Sequence, residues 1–325
     1  MRRTAARVLL AGCAGLLALP ATTQESDFPA WAYPLTPLPL PQRVADDGTV
    51  FRVPGSDKGF TRDQSRDPFA PPDWHPADHP AMPPIVAQGR KPALWACGMC
   101  HRPNGGGGPE NANISGLPAD YIVQQIQEMA SGARSSAVPT NRLAHTLKQN
   151  VVKNVTPEEL KAAAAYFEKT RPAQVMVVAE TAMIPKLKAT PFFLTSAGDG
   201  TQEPLGNRII EYPEDYERFS VLRDERVKFV VHVPPGSIQK GEELVRGMKG
   251  NKALACMNCH GEKLQGMAAF PPIAGRSPAY MVRQMWDFKQ GARNGAMAAV
   301  MKPVVAELSG TDMLNIAAYL ATLKP

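Results

Sequence analysis

Cys97-Gly98-Met99-Cys100-His101 and, 159 positions later, Cys256-Met257-Asn258-Cys259-His260 decide how this chain is read. Each is a C-x-x-C-H, the pattern of covalent haem attachment. The spacing has a physical cause. Two thiols three residues apart on one helical turn reach both vinyl groups on one side of a porphyrin, and the next residue brings its imidazole under the iron as proximal ligand. The expectation is two covalently bound haem c groups, held by Cys97 and Cys100 and by Cys256 and Cys259, with His101 and His260 on the irons. A four-cysteine zinc site would leave both histidines unexplained. A thioredoxin-like pair would follow a strand, and Ala93-Leu94-Trp95-Ala96 is a weak candidate for one.

Working outward from the motifs, the same shift of 159 lays Tyr121-Ile122-Val123-Gln124-Gln125 on Tyr280-Met281-Val282-Arg283-Gln284, and Gly132-Ala133-Arg134 on Gly291-Ala292-Arg293. Past that point the shift becomes 153, with Val151-Val152 on Val304-Val305 and Ala164-Ala165-Tyr166 on Ala317-Ala318-Tyr319. One unit has been duplicated, and the first copy carries six extra residues between Arg134 and Val151. Apolar residues at three-to-four spacing predict helices over 119–131 and 279–290, each ended by the Gly-Ala-Arg turn. Thr156-Pro157-Glu158-Glu159 predicts a capped helix running to Lys169, and Ser309-Gly310-Thr311-Asp312 its counterpart, ending near Leu323. Gly105–Gly108 is a loop; a phosphate-cradling role fails because no Gly-Lys-Ser/Thr follows.

These motifs resemble the tandem diheme c-type cytochromes, the c-four-like group, over about 96–170 and 238–325. The resemblance implies an all-α fold class, with two small cytochrome c-type helical domains in tandem. They would occupy 93–171 and 238–325, joined by an irregular linker with short strands (172–237) and preceded by an extended Pro-rich arm (25–92). It also implies a histidine on one side of each iron and a methionine on the other. Phe270-Pro271-Pro272-Ile273-Ala274-Gly275 looks like the family's loop whose proline faces the proximal histidine. The first copy has Asn111-Ala112-Asn113-Ile114-Ser115-Gly116 there, so it lacks that proline.

Sixth ligands follow from register. In the second copy Met301 lies eight residues before Ser309, where the family's methionine falls, and is preferred to Met297. The bland alternative is that both methionines pack against the haem edge. Between Arg134 and Val151 the first copy has no methionine. Counting from the left puts the slot on Arg142, and counting from the right puts it on Lys148. His145 lies midway and is the expected ligand, with Lys148 or an open iron as alternatives. A second histidine leaves the potential low and a methionine raises it, so the first haem is expected to feed the second.

The chain has 325 residues, room for two domains and a small third, and 44% hydrophobic residues, enough for packed cores. Residues 1–24 read as a secretory signal, with Arg2, Arg3 and Arg7 before the apolar run Val8–Leu19. Leu10-Ala11-Gly12-Cys13 also resembles a lipoprotein box, in which Cys13 would carry a membrane anchor. Without the leader's arginines the formal charge falls from +6 to about +3, and no Lys/Arg run marks a nucleic-acid stripe. Residues 28–92 hold fourteen prolines, the pattern of an extended rather than core-forming segment; His75 and His79 within it could reach an iron, but read first as solvated turn residues. Arg208–Tyr212 and Val227–Val233 read as short strands, with His232 structural. The expected function is a periplasmic carrier of single electrons, with no transmembrane helix in the mature chain. Its partners would be redox proteins, a membrane dehydrogenase or terminal oxidase among them. The rivals are a haem enzyme, a peroxidase or small-molecule oxidase working at the first iron, and a cytochrome subunit of a dehydrogenase complex.

Overall fold

Each repeat folds as helices gathered about its C-x-x-C-H turn. The structure, a computed structural model, describes residues 27–33, 44–190, 193–247 and 255–325, with Arg142 and Leu143 described for their backbone alone. The expected leader, Cys13 and the Pro34–Pro41 run lie outside the described residues.

The first repeat runs α1 (Pro84–Ala87), α2 (Cys97–His101), α3 (Ala119–Ser131), α4 (Arg142–Leu147) and α5 (Pro157–Lys169). A π-type turn over Lys148–Val152 continues α4. The second runs α6 (Ser237–Arg246), α7 (Met257–His260), α8 (Pro278–Lys289), α9 (Ala298–Val305) and α10 (Gly310–Thr322). Local chemistry sets their ends. Thr156 and Glu159 form a full capping box on α5, with Pro157 at the first position, and Ser309 and Asp312 form one on α10. Gly132, at φ 84°, turns the chain out of α3 in the left-handed region that glycine adopts without strain.

The repeats differ where their first helix meets their last. In the second, α6 crosses α10 so closely that a Cβ on Gly241 would stand 1.9 Å from the Asn315 carbonyl oxygen. In the first, α1 is a single turn, and Tyr166, the counterpart of Tyr319, instead donates to the Pro103 carbonyl (2.6 Å) and meets His79 (3.0 Å).

Between the repeats lie strands β1 (Met176–Glu180), β2 (Met183–Pro185), β3 (Leu187–Ala189), β4 (Leu194–Ser196), β5 (Gln202–Pro204), β6 (Ile210–Pro213) and β7 (Phe229–Val233). β7 is central in a three-stranded sheet, parallel to β1 and antiparallel to β6, while β2–β5 and β3–β4 form two ribbons. The all-α description therefore applies to the two repeats and not to the whole chain. Among the described residues, five of these seven strands are not legible in the sequence, and four of those are three residues long, too short to show alternation. In β7 the alternation is plain: Phe229, Val231 and Val233 enter the second repeat's core, with Trp286, Leu314 and Ala318.

The N-terminal segment is divided. Ala32 and Tyr33 join the second repeat's core, where Tyr33 donates to Asp287 of α8. Further on, Val53 and Trp74 pack with Leu222 into a small core, and Trp74 Nε1 donates to the Leu222 carbonyl at 2.7 Å. The arm is thus core-forming in part, because its few aromatics find apolar partners on the linker. Among the described residues, no helix is long and apolar enough to cross a membrane.

Candidate haem centres

Both C-x-x-C-H motifs form one helical turn, which puts the cysteine pair and the histidine on a single short rigid piece. Burial pushes the Cys97 thiol up to about 12 and that of Cys256 up to about 11. His101 Nδ1 donates to the Ala112 carbonyl (2.9 Å), and His260 Nδ1 donates to the Pro271 carbonyl (2.7 Å), each eleven residues on. A carbonyl can only accept, so Nδ1 carries the proton in both rings and Nε2 keeps its lone pair. Burial drives both imidazoles toward the neutral form, against the smaller pull of the carbonyl. Half-buried cysteines on the same turn as an imidazole that carries its proton on Nδ1 and keeps the Nε2 lone pair are the donor set of a covalent haem site.

The loops that supply those carbonyls match bond for bond. Gly107 N donates to His101 O and Gly266 N to His260 O; Ile114 N donates to Gly105 O and Ile273 N to Leu264 O. Gly107 is required, since a Cβ there would stand 2.4 Å from Ala112 O. The missing proline of the first copy therefore does not cost it the proximal hydrogen bond. Where the second copy places Gly261, the first places Arg102, also at positive φ (65°). Its guanidinium is held 4.3 Å over the Phe219 ring and donates to the Phe219 carbonyl.

Met301 of α9 is half-buried and packs on the second repeat's core, as do Cys256 and Ile273, whereas Met297 is 44% exposed. His145 on α4 and Lys148 at the start of the π-type turn are both exposed and lie three residues apart, on one helical face.

His75 and His79 are not solvated. His75, 3% exposed, meets Asp224 of the linker through Nε2 at 3.2 Å, and His79 meets Asp73 at the same distance. The sequence could not show this, because Asp224 lies 149 positions from His75. His232 takes the structural role expected of it, 3.1 Å from the Tyr212 hydroxyl.

The residues that reveal the duplication also join its two halves. Arg134 and Arg293 face each other in a short antiparallel bridge, flanked by Ser135 N to Ala292 O (2.7 Å) and Asn294 N to Ala133 O (2.6 Å). Arg134 donates to Gln125 of its own repeat and to Tyr280 and Gln284 of the other; Arg293 donates to Gln284 of its own and to Tyr121 and Gln125 of the other. Burial would raise the Tyr280 phenol, but the Arg134 and Arg293 guanidiniums outweigh it and hold it low. Nearby, Arg276 reaches from the second repeat to Asn113 and Ser115 of the first. The Tyr, Gln and Gly-Ala-Arg repeats are legible in the sequence, but their pairing is not, nor are the roles of Arg102 and Arg276.

The cytochrome c family model matches residues 86–171 and 239–324. Cytochrome c4 of Azotobacter vinelandii is 23% identical over 232 residues, 70% of this chain and 84% of that protein. A thiosulfate dehydrogenase electron acceptor of Thiomonas intermedia is 24% identical over 242 residues, 71% of this chain and 83% of that protein. Among solved structures, reduced recombinant cytochrome c4 from Pseudomonas stutzeri aligns with a TM-score of 0.43 at 22% identity, covering 70% of this chain and 93% of that one.

Proposed function

Because this chain belongs to the cytochrome c family, with two copies of its domain and two covalently bound haem c groups, we propose that it is a periplasmic carrier passing single electrons between redox proteins. The haems supply reversible one-electron chemistry; the chain sets their potentials through ligands and burial. Cys97, Cys100, Cys256 and Cys259 hold them, and His101 and His260 are the proximal ligands. Met301 is the distal ligand of the second haem. At the first, His145 takes that role, from the helix that stands in the place of α9.

The observation that carries this reading is the matched pair of anchored histidines, with the repeat motif itself forming the contact between domains. Such a contact keeps two redox centres at a fixed separation. The buried Arg276 and Arg293 and the half-buried Arg134 all bond neutral acceptors in it, an electrostatic setting that suits the acidic edge of a haem. The relationship to a thiosulfate dehydrogenase electron acceptor favours an enzyme oxidising a small sulfur oxyanion as the electron donor.

Protein matured with haem and weighed intact should carry two haems, with Cys97→Ser/Cys100→Ser and Cys256→Ser/Cys259→Ser each losing one. A redox titration should then resolve two potentials. A colourless protein, or two identical His/Met spectra, would overturn the reading. The exposure of both His145 and Lys148 favours a second one, in which the first iron has an exchangeable site and does chemistry on a small molecule. Rapid tight binding of carbon monoxide or cyanide to one haem would select it.

A further inference from the structure

The two proximal loops do the same work with different material. In the second copy the carbonyl that receives His260 Nδ1–H belongs to Pro271, and Pro272 follows, so two fixed φ angles stiffen the loop from within. The first copy has Ala112 and Asn113 there, and neither fixes its own backbone. Yet the loop is held. Arg276, 3% exposed, donates through Nη1 to the Asn113 carbonyl (2.9 Å) and to Asn113 Oδ1 (2.7 Å), and through Nη2 to the Ser115 carbonyl (3.1 Å). Asn113 Oδ1 also receives the Ser115 amide at 3.1 Å, so one guanidinium fork closes the turn directly after Ala112. Arg276 comes from the other domain, and its counterpart in the first copy is Leu117.

We propose that Arg276 is a positioning residue for the first haem: from the second domain it clamps the Asn113–Ser115 turn and so fixes the Ala112 carbonyl against His101 Nδ1, the task that Pro271 and Pro272 perform within the second domain. This rests on His101 being the first haem's proximal ligand. The Nδ1–H···O=C bond makes the imidazole a stronger donor to iron, which favours the ferric state. Loosening it raises the potential of that haem. The clamp thus makes the first haem's ligand field depend on how the second domain is seated.

The test is a spectroelectrochemical titration of the holoprotein and its variants, with Met301→His marking which wave belongs to the second haem. Arg276→Leu and the milder Arg276→Gln should each raise the first potential, changing the ferrous-to-ferric ratio at fixed applied potential about tenfold, or about 59 mV for one electron. The second wave should stay in place. Ala112→Pro/Asn113→Pro, which copies the second loop, should bring the potential back in an Arg276→Leu background and make Arg276 dispensable. No shift with Arg276→Gln, equal shifts of both waves, or a shift the prolines do not reverse would each overturn the proposal. A wild-type protein with no haem on Cys97 and Cys100 would instead overturn the reading beneath it, and haem content is measured first.

Discussion

Glu225 is the most exacting single residue outside the haem centres. It is 7% exposed, neither carboxylate oxygen bonds a described protein group, and burial pushes its carboxyl up to about 7, with Asp224 adding to the effect. Across a cavity of about 20 Å³, room for one water, stands Arg102, whose guanidinium burial pulls down to about 9. Below pH ~4.5 Glu225 is protonated folded or unfolded and contributes no pH dependence. As pH rises through its ordinary range toward 7, only the unfolded chain ionises, so stability falls, and the full penalty stands above about 7. Glu225→Gln should therefore gain on wild type by about 2–3 kcal/mol more at pH 8 than at pH 4, measured by denaturant titration. An unchanged gap would mean that Arg102 keeps the carboxylate ionised. This pairing was not legible beforehand. The C-x-x-C-H residues were, because their chemistry needs neighbours along the chain; Arg102, Glu225 and Arg276 act on partners more than a hundred positions away.

Elements divide on the same line. The capping boxes of α5 and α10 were read correctly because a box is a four-residue event, and so were the Gly-Ala-Arg stops. The parallel β1–β7 pair was not, since Met176 and Phe229 meet only after the intervening ribbons fold. The six-residue insertion was legible as a change of shift, but not its accommodation in a π-type turn, a form often found at functional sites. Cap and crossing should respond differently. Thr156→Ala removes one cap bond on α5 and should cost about 1 kcal/mol. Gly241→Ala forces a methyl into the Asn315 carbonyl, and should cost about 3 kcal/mol or more and unfold the second domain first. Thermal melts read at each haem's absorbance would separate the two.

At the scale of the molecule, the duplication is visible as two shifts, whereas the division of the N-terminal segment between the second domain and the linker is not. Residues 27–33 pack on α8, and Asp78 pairs bidentately with Arg226 of the linker (2.7 Å for each bond). The contact between domains is expected to be cooperative. Gln125 and Gln284 each receive both arginines, so Arg134→Ala or Arg293→Ala alone leaves each glutamine one donor. The double variant should lose more than the two singles together, measured as faster proteolysis within 172–237.

That reciprocal bridge has a consequence for how readily the two halves find each other. A patch whose Tyr, Gln and Arg complement the same three residues on another copy is isologous, the geometry of a two-fold homodimer. A lone repeat bearing it would meet a second copy only at a rate set by concentration, whereas in this chain the tether makes the encounter intramolecular.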